Sequence, residues 1–112
     1  MNQKSTGQSN ESGDVAALVL HPADDVATAL RDLKAHERVW VQCVDTKLEF
    51  EVIENIPLCH KFALRPLALG EAVTKYGETI GVMTSSTPVG AHVHIQNLKS
   101  ARAVLLKCNK NL

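Results

Sequence analysis

An internal repeat constrains this chain more than any other feature. Residues 29–39 (ALRDLKAHERV) and 63–73 (ALRPLALGEAV) share Ala, Leu, Arg, Leu, Glu and Val in register, six of eleven positions at an offset of 34 residues. On propensity alone, residues 25–34 read as a helix with an Asp cap. The second copy argues against a helix, because Pro66 in its middle and Gly70 four residues later would break one. It reads instead as strand, compact turn, strand. The first copy is expected to share that conformation. Two copies are too few for a solenoid and point to a duplicated supersecondary unit.

The rest of the chain carries the same signature. Residues 15–20 (VAALVL) are long enough for a strand and too short for a typical helix, and His21-Pro22 ends them. Residues 39–43 and 47–53 read as extended, separated by a turn at Asp45-Thr46. Gly70-x-x-Val73 is echoed by Gly90-x-x-Val93, and residues 73–76 and 93–96 alternate apolar and polar side chains as strands do. Gly70, Gly77, Gly81 and Gly90 punctuate this half as turns or close backbone approaches would. The expected fold is a single mainly β domain over residues 15–106 with little helix, residues 100–106 being too short a run to assign. Aromatics are 4% of a chain that is 45% hydrophobic, so Val, Leu, Ile and Ala must fill its core. Residues 1–14 (MNQKSTGQSNESGD) have no apolar residue after Met1 and are expected to be a disordered tail. Residues 107–112 are expected to fray.

Charge and cysteine usage narrow the function classes. Twelve Lys and Arg balance twelve Asp and Glu, whereas a nucleic-acid partner calls for surplus positive charge. No apolar run approaches the ~18 residues of a membrane span, and no signal peptide is evident. Cys43, Cys59 and Cys108 are odd in number and widely spaced, as expected of reduced thiols in the cytosol, and show no zinc-type spacing.

Polar residues with chemical potential gather at residues 56–61, 74–78 and 92–97. His92 and His94 lie two apart on an expected strand and so share a face, and His60 could join them as a third metal ligand. An H-x-H pair is a weak signal by itself. The favoured reading is packed or surface histidines, with no metal held by this chain. His60, Lys61, Lys75 and Tyr76 supply donors suited to a small carboxylate or sulfonate. The competing reading makes the two lysines solvated strand ends. Cys59 and His60, adjacent along a strand, would face opposite ways and not form a nucleophile–base pair. No phosphate-binding loop, dinucleotide fingerprint or paired catalytic carboxylates stand out.

These motifs, taken in order, resemble a known family. Asp24-Asp25-Val26-Ala27-x-Ala29-Leu30 is followed by Ile56-Pro57-x-x-His60-Lys61-Phe62-Ala63-Leu64. Then come Gly70-Glu71-x-Val73-x-Lys75-Tyr76-Gly77-Glu78-x-Ile80-Gly81 and Gly90-x-x-Val93-His94-x-x-Asn97. The set resembles the N-terminal SAF domain of the altronate/galactarate dehydratase family, over residues 15–97.

The resemblance implies a β-clip fold, made of folded-over hairpins, which suits the duplication. It implies a lyase: removal of the α-proton of a sugar acid, then loss of the neighbouring hydroxyl. A divalent metal, often iron, would act as Lewis acid in a much larger catalytic domain or subunit. Some members carry the two parts as separate chains, as in sulfolactate sulfo-lyase, whose leaving group is sulfite. The chain ends shortly after Asn97, as a separate small subunit or a fragment of a longer chain would. Carried over by position, His60, Lys61, Lys75, Tyr76, His94 and Asn97 would bind the acid or position the large subunit. No catalytic residue and no cofactor are expected in this chain alone, and self-association through strand edges is plausible. The second reading is a non-catalytic ligand-binding or assembly module. Four positions depart from the family pattern. Cys59 and His36 stand where Gly is usual, Gln96 replaces a His, and Asp25 replaces an Asn.

Overall fold

The computed structural model describes residues 14–101. The expectations for the first thirteen residues, and for residues 102–112, lie outside them. The described residues form nine strands: β1 (Val15–Val19), β2 (Val26–Ala29), β3 (Arg38–Cys43), β4 (Thr46–Glu51), β5 (Lys61–Ala63), β6 (Ala72–Lys75), β7 (Glu78–Met83), β8 (His92–Val93) and β9 (Leu98–Ser100). The mainly β expectation holds, and residues 25–34 are not helical. One sheet has the order β4-β3-β1-β2-β5-β8 and a second the order β6-β7-β9. Neighbours are antiparallel except β1 and β3, which run parallel. No helix among the described residues is long and apolar enough to cross a membrane.

The duplication is real and extends further than the sequence identity. Hairpin β3–β4 in the first half corresponds to hairpin β6–β7 in the second. Both turn through positive backbone φ, at Val44 (57°) and at Tyr76 (56°) with Gly77 (76°). Four corner turns share one design. Each starts at a bridged residue, Leu33 with Ile56 and Leu67 with Thr87. Three positions later stand His36, Cys59, Gly70 and Gly90, with φ of 72°, 71°, 85° and 84°. The next amide closes each turn, Glu37 onto Lys34, His60 onto Pro57, Glu71 onto Ala68 and Ala91 onto Pro88. In the two sequence copies an arginine and a glutamate also pair, Arg31 with Glu37 and Arg65 with Glu71.

Left-handed backbone at the third position of such a turn favours glycine. Cys59 and His36 adopt it at a cost of roughly 1–2 kcal/mol each. A glycine there would return about 0.5–1 kcal/mol of that through the freedom of the unfolded chain. Cys59→Gly is therefore expected to stabilise the fold by about 0.5 kcal/mol, read as a higher urea midpoint at unchanged slope. A lower midpoint would mean that the Cys59 side chain contributes packing that outweighs its backbone strain.

The core divides with the duplication. Ala16, Ala17, Val19, Ala27, Ala29, Leu33, Val39, Val41, Val52, Ile56 and Phe62 bury one cluster. Val26, Ala63, Leu67, Val73, Met83 and Val93 bury the other. Small aliphatic residues dominate both, as the scarcity of aromatics requires, with Phe62 the exception. Asp25 joins the two sheets. Its side chain is buried, and its carboxylate accepts from Arg65 Nε at 2.8 Å and from the Thr74 amide at 2.8 Å. Its own backbone continues the join by donating to Thr74 O, and accepts from the Leu64 amide just after β5 in its own sheet.

One local expectation fails. Residues 93–96 alternate as a strand would, but β8 stops at Val93 and the chain turns. The buried Asn97 enforces this. Its Oδ1 accepts from the His94 amide at 2.9 Å, and its Nδ2 donates to His92 O at 2.8 Å and Thr87 Oγ1 at 3.2 Å. The amides of Asn97 and Leu98 close back onto His94 O. Side-chain capping of this kind competes with the ladder.

Candidate functional site

The β5–β8 pairing builds the site. Lys61 faces Val93 and Phe62 faces His92 across the ladder. Extending that register by one residue sets His60 opposite His94, with His92 two residues away on the same side. The three imidazoles accordingly stack. Ring centroids are 4.1 Å apart for His60 and His94, 5.1 Å for His60 and His92, and 5.4 Å for His92 and His94.

Each ring has a defined support. His60 Nδ1 lies 2.8 Å from His92 Nε2, and His92 Nδ1 lies 3.2 Å from Gln96 Nε2. With Gln96 donating, His92 accepts at Nδ1 and donates from Nε2 to His60. Glu54 accepts from the His92 amide at 2.8 Å, and the Asn97 turn holds His94.

Lys61 brings positive charge within electrostatic reach of the rings. Burial pushes the Lys61 ammonium below its ordinary value, and the charge of Lys75 lowers it further. His92 is lowered mainly by burial, then by His60 and His94, against an opposing effect of Glu54. His94 is lowered by burial, then by His60 and Lys61. Near neutral pH both rings are held toward the uncharged form. Among the described residues no carboxylate pairs with Lys61 or Lys75. Two partly buried ammonium groups within electrostatic reach of each other and without carboxylate partners suit an anionic ligand, which would supply the missing negative charge.

Of the residues singled out from sequence, His60 and His94 come together; Lys61, opposite Val93 in the ladder, points to the other face of β5 but lies within electrostatic reach of His92, His94 and Lys75. Lys75 Nζ lies 3.9 Å from the centroid of the Tyr76 ring, a cation–π contact on the β6–β7 turn. Tyr76 is largely exposed there. Asn97 is close by, but its amide is engaged within the protein, so it positions His92 and His94. His92 was visible in sequence only as half of an H-x-H pair. Its support Glu54 carried no signal, since it meets His92 only through the fold, and Gln96 stood out only as a departure from the family pattern.

The sequence model of the altronate/galactarate dehydratase SAF domain matches residues 15–101. The alpha subunit of (2R)-sulfolactate sulfo-lyase from Chromohalobacter salexigens is 40% identical over 89 residues, spanning 76% of this chain and 95% of that subunit. The alpha subunit of the same enzyme from Paracoccus pantotrophus is 48% identical over 48 residues, 43% of this chain and 72% of that subunit. Altronate dehydratase of Bacillus subtilis is 33% identical over 83 residues, 74% of this chain but 16% of that enzyme.

Proposed function

Because the chain belongs to the SAF-domain family of altronate/galactarate dehydratases, we propose that it is the small subunit of a lyase acting on a hydroxylated carboxylic acid. The observation that carries the proposal is the pair of ammonium groups, Lys61 and Lys75, left without carboxylate partners and within electrostatic reach of each other. They would hold the acid's anionic groups while a larger subunit, carrying a divalent metal such as iron, removes the α-proton and expels the substituent on the neighbouring carbon. The substrate is either a sugar acid that loses water or a sulfonated hydroxy acid that loses sulfite. The extent of the match to a separate alpha subunit favours the second. Two anionic ends, carboxylate and sulfonate, also suit two lysines.

The test is recovery of the chain from its native cell extract, followed by turnover on altronate, galactarate and sulfolactate. Co-recovery of a large lyase chain, with activity that needs both, supports the reading and names the acid. Recovery alone, without turnover, would leave a non-catalytic binding or assembly module. Within an active complex, Lys61→Ala, Lys75→Ala and His60→Ala are each expected to lower kcat/KM by tenfold or more, on the order of 1.4 kcal/mol or greater in transition-state binding. The far-UV spectrum of each variant should stay that of a folded β protein. Unchanged turnover in all three would remove these residues from the site.

A further inference from the structure

The three stacked histidines do more than surround an anion. We propose that His60, His92 and His94 form a binding site for a divalent first-row transition metal, with a coordination position left open for an oxygen ligand. One ring nitrogen from each lies within 4.8 Å of the others. His60 Nδ1 and His92 Nε2 already face each other at 2.8 Å. Three imidazoles with no carboxylate among them suit zinc, iron, cobalt or nickel, and serve calcium or magnesium poorly. Three protein ligands with an open position are the pattern of reactive rather than structural metal centres.

The surroundings are built as metal sites are. Asn97 clamps the backbone at His92 and His94, and the corner turn at Cys59 fixes His60. Gln96 sits on His92 Nδ1. With Nε2 on a metal, the His92 proton moves to Nδ1 and donates to Gln96 Oε1 after a flip of the amide. An ion about 2.0–2.1 Å from each nitrogen requires the rings to turn out of their stack. Lys61, within electrostatic reach of His92 and His94, leaves excess positive charge once an ion is bound, so the open position takes an anion. Only that last point, the acid's carboxylate as the open-position ligand, rests on the lyase reading. Metal uptake stands independently of it.

The test is a Co2+ titration of the full 112-residue chain, followed by visible absorption and by the imidazole resonances of its five histidines. The expected result is uptake of one equivalent, with the His60, His92 and His94 resonances broadened and those of His21 and His36 left sharp. His92→Ala and His94→Gln should weaken uptake by more than roughly tenfold, since even outer-shell losses cost 10–100-fold, and Gln96→Ala by about tenfold. The proposal is overturned by no uptake at millimolar Co2+, by broadening that includes His21 or His36 equally, or by uptake that survives His92→Ala undiminished. The resonance readout uses the unmodified chain, so a variant that fails to fold does not blunt it. Metal uptake by a chain that supports no lyase turnover would remove the functional proposal and leave the metal site. Turnover with no uptake would do the reverse.

Discussion

Gly90→Ala is expected to lower the unfolding free energy by about 3 kcal/mol, while Gly70→Ala costs only about 1 kcal/mol. The two glycines occupy the same position of equivalent corner turns, with φ of 84° and 85°. Conformational strain from an added Cβ is therefore the same. Their surroundings differ. A Cβ at Gly70 would meet open space, whereas one at Gly90 would run into the carbonyl of Glu51. That carbonyl belongs to the last residue of β4, held by pairing with Arg38, and Gly90 itself accepts from the Ile53 amide and donates to Ala63 O. Neither backbone can retreat without losing hydrogen bonds. Urea unfolding of both variants measures the difference. Equal losses would show that the end of β4 yields freely. Because His92 follows two residues later, Gly90→Ala should also disturb the histidine cluster, and Gly70→Ala should not.

Asp25→Ala is expected to cost about 2–4 kcal/mol, from the loss of charge-assisted hydrogen bonds and an unsatisfied Thr74 amide left behind. The carboxylate is buried between the two sheets, and its two oxygens serve different elements, Arg65 Nε and Thr74 N. Asp25→Asn should cost less, about 1–2 kcal/mol, which arises because its NH2 group then faces the Arg65 Nε–H, donor against donor. An amide oxygen can still accept from Thr74, and Arg65 keeps Glu71 as an ion-pair partner. Chemical denaturation of the two variants separates the contributions. An alanine variant as stable as the asparagine variant would mean that the single backbone bond from the Asp25 amide to Thr74 O suffices to hold the sheets together here.

Sequence reasoning reached the β class through Pro66 and Gly70, because those two residues act on the backbone directly and need no tertiary partner. The same logic recovered the strands around His21-Pro22 and the β3–β4 hairpin, where the turn lies at Val44–Asp45, one residue before the expected Asp45-Thr46. Of the four corner turns, that at residues 56–60 was not legible from pattern, and that at residues 87–91 showed only through the Gly90-x-x-Val93 echo. Ile56-Pro57-Leu58-Cys59-His60 and Thr87-Pro88-Val89-Gly90-Ala91 share a backbone path with the others but little side-chain identity. Alternation misled at residues 93–96, since it registers period and not the side chain of Asn97 that bends the chain three residues away.

What the amino-acid sequence by itself determined is the local geometry: a duplicated, glycine- and proline-turned β unit with an aliphatic core, and an unusual density of His and Lys near residues 60, 75 and 94. Only the tertiary structure decided which of those residues meet. His60 and His92 are 32 positions apart in the chain. They come within hydrogen-bond distance because β5 and β8, separated in the chain by the β6–β7 hairpin, pair as neighbours in one sheet. Local propensities act over a few residues, whereas the choice of strand partner depends on burying two half-cores at once, and no short stretch of sequence carries that choice.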